Sequence, residues 1–224
     1  TMGSRIAQLP DYVDIALFPE YSLTGFVEDE HVYDVALTRE DAVSEVRELA
    51  VENDVSVLFG FVEKSGREYY NAVCYLTAEN FHIYRKRHLW GAEKELLSAG
   101  NERVIVDTPI GSTGILTCYD LNFVEESAAF TREKVDALLV VGAWYREYVE
   151  NWRLLLRARA LDGVRWVVGC GRVGESDKRE YAGESCVVLP DGSVKSKLSR
   201  AEETLVEELS RETLERQREL VGIF

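Results

Sequence analysis

Short apolar runs that stop abruptly, set between stretches of helical periodicity, constrain this chain more than any other feature. Asp14–Phe18 (DIALF) is such a run and ends at Pro19, as a buried strand would. Val55–Val62 and Tyr69–Thr77 are rich in β-formers and flank Lys64-Ser65-Gly66-Arg67, which predicts a hairpin. Phe81–Tyr84, Arg103–Val106, Ile115–Thr117, Ala137–Val141 (ALLVV), Trp166–Gly169 and Ser185–Leu189 are further strand candidates, the last followed by the turn signal Pro190-Asp191-Gly192. Thr38–Asn53 reads as a helix: Thr38 can cap it, Glu40 and Asp41 favour its first turn, and Ala42, Val43, Val46, Leu49 and Ala50 form one stripe. Asn122–Lys134 and Val149–Leu161 also read as helices, the latter with Trp152, Leu155, Leu156 and Ala160 inward. Thr204–Leu220 reads as a charged amphipathic helix or a strand plus a helix. Apolar strands alternating with amphipathic helices imply buried sheets in α/β layers. No repeat, low-complexity tract or Pro/Ser-rich linker interrupts the pattern, so residues 1–224 read as one domain.

Composition narrows the function classes. A chain of 224 residues can bury about 70% of its unfolded surface without a disulfide or metal staple. Apolar residues at 46% and charged residues at 29% exclude disorder as the main reading. The net charge of −14 argues against nucleic acid or an anionic membrane as partner. The longest uncharged run, Thr108 to Tyr119, is twelve residues and too short to span a bilayer. No basic, apolar leader opens the sequence, so a cytoplasmic location is expected. The cations are 7 Lys and 19 Arg, which leaves high-salt adaptation and a merely acidic surface both open. Cys74, Cys118, Cys170 and Cys186 are widely spaced, with only three His. That removes the common zinc patterns and fits reduced thiols; no metal is expected.

Three segments could carry chemistry. Cys118 follows the run Ile115–Thr117 and precedes a probable helix, where backbone N–H groups can lower a thiol pKa and hold an oxyanion. A buried apolar role is the simpler reading for any one cysteine. Glu20, in Pro19-Glu20-Tyr21, stands at a strand's C-terminal mouth, where α/β sheets place their sites. Lys86 lies in the basic run Tyr84–Leu89, which alone would read as a solvated face. His88, two residues on, would share the face of Lys86 in a strand, and its expected role is local support. Cys74, Cys170 and Cys186 read as core residues, and Glu125 and Glu126 as a solvated helix face.

Taken together, FPEYSLTGF (Phe18–Phe26), YRKRHL (Tyr84–Leu89) and GILTCYDLNF (Gly114–Phe123) stand in the order and spacing of one family. The chain resembles the nitrilase, or carbon–nitrogen hydrolase, superfamily over nearly its whole length. Later stretches such as RARALDG, GCGRVG and YAGESCVVLPDG agree with that resemblance. It implies an α-β-β-α four-layer sandwich and hydrolysis of a small amide, N-carbamoyl compound or nitrile through a cysteine thioester. It implies Cys118 as nucleophile, Glu20 as general base and Lys86 as the cation facing the tetrahedral intermediate. Glu93, seven residues before Gly100, matches a second family glutamate that would orient Lys86. Tyr119, through its backbone N–H, Asn122 and Trp144 are the implied substrate contacts, with core packing the other reading of Trp144. No cofactor is implied, and association as a homodimer or larger homo-oligomer is.

The match has departures. Only about 17 residues precede Phe18, so the fold is expected to lack the family's first strand and most of its first helix. Asn122 and Val124 replace the family's Arg and Pro, and Asp162-Gly163 replaces its Glu-Asn, which bears on substrate rather than on the triad. The rival expectation is a catalytically inactive nitrilase-like subunit or binding protein.

Overall fold

A computed structural model describes residues 1–26, 28–176 and 179–224. The chain divides into two compact units, Thr1–Val104 and Ile105–Phe224. In the first, helix α1 (Met2–Ile6) precedes strand β1 (Ile15–Leu17), helix α2 (Arg39–Glu52), strands β2 (Ser56–Ser65), β3 (Glu68–Leu76) and β4 (Phe81–Arg85), and helix α3 (Glu93–Leu96). The sheet runs β1-β2-β3-β4, with β1 parallel to β2 and the other pairs antiparallel. The expected hairpin forms with Val57 opposite Leu76 and Ser65 opposite Glu68. Helix α2 begins as its sequence predicts, with the Thr38 hydroxyl accepting the Asp41 N–H at 3.1 Å. Ala42, Val43, Val46 and Ala50 pack with Val57, Phe59, Phe61, Ala72 and Cys74 in one buried cluster, and half-buried Leu49 lies against it.

The second unit holds strands β5 (Ile105–Thr108) and β6 (Gly111–Thr117), helix α4 (Val124–Arg132), strand β7 (Ala137–Gly142), helix α5 (Val149–Gly163), strands β8 (Trp166–Gly171), β9 (Cys186–Val188) and β10 (Val194–Lys197), and helix α6 (Arg211–Val221). Its sheet runs β10-β9-β8-β7-β6-β5, parallel from β6 to β8 and antiparallel outside that centre. Strand β7, fully buried, is central, as a continuous apolar run should be. Trp152, Leu156 and Ala160 of α5 join Leu138, Val140 and Val167 in the core, and Leu155 packs against it partly buried.

Several boundaries depart from the sequence reading. The strand expected at 103–106 begins at Ile105, and the helix expected from Asn122 begins at Val124 because a 3-10 turn, Cys118–Asn122, comes first. The charged C-terminal stretch is helical only from Arg211, where Ser210 caps it by accepting the Thr213 N–H at 3.3 Å. Strand β10 has almost no apolar signal because it is a largely exposed edge paired on one side to β9. Glu126 is buried, against the solvated-face expectation, since α4 turns that position inward with Ser127 and Phe130. His88 lies beyond the end of β4, so it does not share a strand face with Lys86. No helix among the described residues is long and apolar enough to cross a membrane.

Candidate active site

In the first unit, Glu20, Lys86 and Glu93 meet in one buried cluster. Glu20 sits just past β1 in a turn anchored to β2, where Phe18 N–H donates to Leu58 at 2.8 Å and Leu23 N–H to Gly60 at 2.9 Å. The turn passes so close over β2 that a Cβ at residue 60 would lie 2.5 Å from Tyr21 N and 2.9 Å from Glu20 Cα. Only glycine allows that approach. Lys86 follows β4 directly, and its N–H donates to the Asn71 carbonyl at 2.8 Å. The preceding Arg85 points to the other side, where its guanidinium grips buried Glu63 at 2.6 and 2.9 Å together with Arg39. That bidentate pair fixes the strand end from which Lys86 projects. Gly100 N–H then donates to the Lys86 carbonyl at 2.9 Å, and a Cβ on Gly100 would fall 2.2 Å from the Arg85 carbonyl oxygen. The glycine at position 100 thus has a packing cause.

The ammonium of Lys86 lies 2.9 Å from Glu20 Oε1 and 2.8 Å from Glu93 Oε2, and all three side chains are nearly inaccessible. Two carboxylates and one ammonium leave a formal charge of −1, so the cluster depends on neutral donors. Tyr21 donates its hydroxyl to Glu93 Oε1 at 2.6 Å, the Trp90 N–H donates to Oε2 at 2.9 Å, and Asn71 Nδ2 donates to both Glu20 and Glu93 at 2.7 Å. Burial acts to raise the pKa of Glu93, but the charge of Lys86 and the bonds from Lys86, Tyr21 and Trp90 outweigh it and hold the carboxyl below its ordinary value. Sequence reasoning missed Asn71 and Tyr21. The signal for Asn71 was a single amide heading the apolar run Ala72–Leu76 of β3, where a polar residue needs a reason.

Cys118, Tyr119, Asn122 and Trp144 belong to the second unit. Strand β6 ends at Thr117, and Cys118 takes φ +48°, a left-handed conformation that costs a side-chain-bearing residue on the order of 1–3 kcal/mol. The turn is held locally by buried Asp120, whose Oδ2 accepts the Thr117 N–H at 3.0 Å. Strain of this kind persists where surrounding structure imposes it, and it concentrates at functional positions. Tyr119, half-buried, is the second residue of the 3-10 turn Cys118–Asn122, whose first backbone N–H groups lack intrahelical acceptors. Asn122 is exposed and donates its amide to the Tyr119 carbonyl at 3.3 Å. Trp144 is buried, with its indole N–H on the Tyr148 carbonyl at 2.8 Å and its ring 5.5 Å from Trp152. Cys118 packs, partly buried, against the cluster that contains both tryptophans. Burial pushes the thiols of Cys74, Cys170 and Cys186 up to about 12. No group of three or more His, Cys, Asp or Glu among the described residues could hold a metal ion.

The chain is a carbon–nitrogen hydrolase of the amidase/nitrilase type. The sequence model of the family called carbon–nitrogen hydrolase matches residues 3–219, and the chain belongs to that family. It is 31% identical over 214 residues to an (R)-stereoselective amidase from a Pseudomonas species, covering 94% of this chain and 78% of that protein. It is 28% identical over 225 residues to a 2-oxoglutaramate amidase from Bacillus subtilis, covering 95% and 84%. The crystal structure of a carbon–nitrogen hydrolase superfamily protein from Xanthomonas campestris shares the fold with a TM-score of 0.91, at 24% identity over 99% of this chain and 87% of that one.

Proposed function

We propose that this chain hydrolyses a small carboxamide, with Cys118 as nucleophile, Glu20 as general base and acid, Lys86 as oxyanion-stabilising cation and Glu93 as the anchor of Lys86. The buried Glu20–Lys86–Glu93 cluster is the observation that carries this reading. A surface ion pair would need no such enclosure, and removing ions from water is costly unless the site uses them. In the first half-reaction Glu20 takes the thiol proton, sulfur attacks the carbonyl carbon, and a C–S bond forms. The tetrahedral oxyanion draws on the Lys86 ammonium and the Tyr119 backbone N–H. It collapses by breaking the C–N bond, and Glu20 returns the proton to departing ammonia. In the second, Glu20 takes a proton from water, hydroxide adds to the thioester, and the C–S bond breaks as Glu20 returns that proton to the departing sulfur, giving the carboxylic acid, the thiol and the Glu20 carboxylate. Asn122 and Trp144 are assigned to substrate contact on motif grounds, and both units act as one catalytic domain, associating as a homo-oligomer. The names of the amidase relatives favour an amide over a nitrile or N-carbamoyl compound.

Mass spectrometry of acyl adducts trapped across a panel of amides, carbamoyl amino acids and nitriles tests the reading. An adduct on Cys118 that is absent from Cys118→Ala, with turnover lost and the fold kept, is the expected result. Full turnover by Cys118→Ala on any amide would overturn the mechanism. A Cys118 that takes up neither acyl groups nor iodoacetamide near pH 6 would favour a non-catalytic subunit.

A further inference from the structure

Asn71 has no task in the reaction as written, yet it is fully buried in the middle of the charged cluster. Its Nδ2 carries two protons and sits 2.7 Å from Glu20 Oε1 and 2.7 Å from Glu93 Oε1. Lys86 Nζ reaches the same two oxygens at 2.9 and 3.1 Å. Four atoms therefore close a ring in which two carboxylate oxygens are bridged on one side by an ammonium and on the other by an amide. The reverse amide orientation would set Oδ1 against both carboxylates, so electrostatics holds Nδ2 inward even though the buried Oδ1 has no hydrogen-bond partner. The backbone of the same residue accepts the Lys86 N–H at 2.8 Å, so Asn71 governs both ends of the lysine.

We propose that Asn71 is a positioning residue, an amide clamp that ties Glu20 to Glu93 so that Lys86 is shared between them at one fixed spacing. The catalytic use of the clamp rests on the roles given to Glu20 and Lys86 above. The titratable groups around the amide are Glu20 from the turn after β1, Lys86 from the end of β4 and Glu93 from α3, with Tyr21 bonded to Glu93 at 2.6 Å. Without the amide donors both carboxylates lose hydrogen bonds to their charged forms, which raises their proton affinity.

Nuclear magnetic resonance of the labelled intact chain tests the clamp. The side-chain N–H resonances of Asn71 should titrate with the same midpoints as the carboxyl carbons of Glu20 and Glu93, assigned through Glu20→Gln and Glu93→Gln. In Asn71→Leu, similar in size but without a donor, the Glu20 midpoint should rise by about one pH unit, a tenfold gain in proton affinity. The acid limb of kcat/KM should move with it, and kcat should fall by about tenfold from lost orientation. Asn71→Ser, with one donor, should lie between. An Asn71 amide that ignores pH in the unaltered protein, or unchanged midpoints in a folded Asn71→Leu, would overturn the clamp; the first measurement needs no variant to fold. Linked titrations in a chain that hydrolyses no amide would instead overturn the functional reading and the catalytic use of the clamp with it.

Discussion

Replacing Gly60 by alanine should damage the site from beneath without substituting any charged residue. The new methyl would stand 2.5 Å from Tyr21 N, 2.9 Å from Glu20 Cα and 3.0 Å from Glu20 C, all backbone atoms that cannot swing aside. Ordinary contact begins at 3.4 Å, so the tightest approach is short by about 0.9 Å. Strand β2 cannot supply that movement, because it is paired to β1 on one side and β3 on the other. The Glu20–Tyr21 turn must lift instead, against its anchors at Leu58 and Gly60. A lift of about 0.9 Å carries Glu20 Oε1 from 2.9 Å to as much as about 3.8 Å from Lys86 Nζ, beyond hydrogen-bond range. A misplacement of roughly 1 Å in a catalytic group costs on the order of a hundredfold in rate, about 2.7 kcal/mol of barrier. Overpacking itself costs about 1–3 kcal/mol of stability, which for a chain of this size lowers Tm by roughly 2–4 °C per kcal/mol. Steady-state amide hydrolysis and thermal melting of Gly60→Ala measure the two effects separately. Gly66→Ala, at φ +65° in the β2–β3 turn with nothing within 4 Å of its Cβ, is the control: it should lose stability but keep kcat/KM. If Gly60→Ala keeps kcat/KM within threefold of the unaltered protein, the placement of Glu20 does not matter to turnover and the reasoning fails.

Lys86→Ala should lower kcat by at least the 10²–10³-fold typical of losing an oxyanion donor, and near-normal amide turnover would remove the lysine from the mechanism. Glu93→Gln should flatten the acid limb of stability. Because the folded pKa of Glu93 lies below its unfolded value, its contribution is present above the ordinary Glu range and is lost as pH falls through the depressed value. Denaturant melts from pH 7 to pH 3 would show this, and an unchanged slope in Glu93→Gln would mean that the carboxylate is not held as described.

The sequence made legible whatever depends on neighbours along the chain. The Thr38 cap, the stripe of α2, the hairpin at Ser65-Gly66 and the apolar run of β7 all declared themselves through local chemistry and came out as expected. What stayed hidden depends on contacts distant in sequence. Strand β10 forms because β9 lies beside it, and its alternating Lys and Ser carry no core signal. Asn71 meets Glu20 across 51 residues and Glu93 across 22, so no window of sequence contains the ring they form. Glu126 read as solvated because acidic residues usually are, and only the way α4 packs overrides that default.

The resemblance divides the labour between the two carboxylates, with Glu20 as general base and Glu93 as the partner that orients Lys86. The bonding around Glu93 agrees with its part in that division. Glu93 is held below its ordinary pKa, so it is an anion at any pH near neutrality and returns a proton poorly. Such a group can balance the charge of Lys86 and fix its direction, but it is badly matched to taking a proton from a thiol and passing it to an amine. In the proposed mechanism the shuttle role falls to Glu20, which shares Lys86 and the Asn71 amide with Glu93. This predicts unequal consequences for two equal substitutions. Glu20→Gln removes the proton acceptor and should abolish both acylation and deacylation. Glu93→Gln keeps Tyr21, Trp90 and Asn71 within hydrogen-bond reach of residue 93 and should leave measurable acylation with a weaker hold on Lys86. Single-turnover thioester formation, followed by mass spectrometry, ranks the two; a Glu93→Gln enzyme as dead as Glu20→Gln would mean that the two carboxylates exchange protons as one unit.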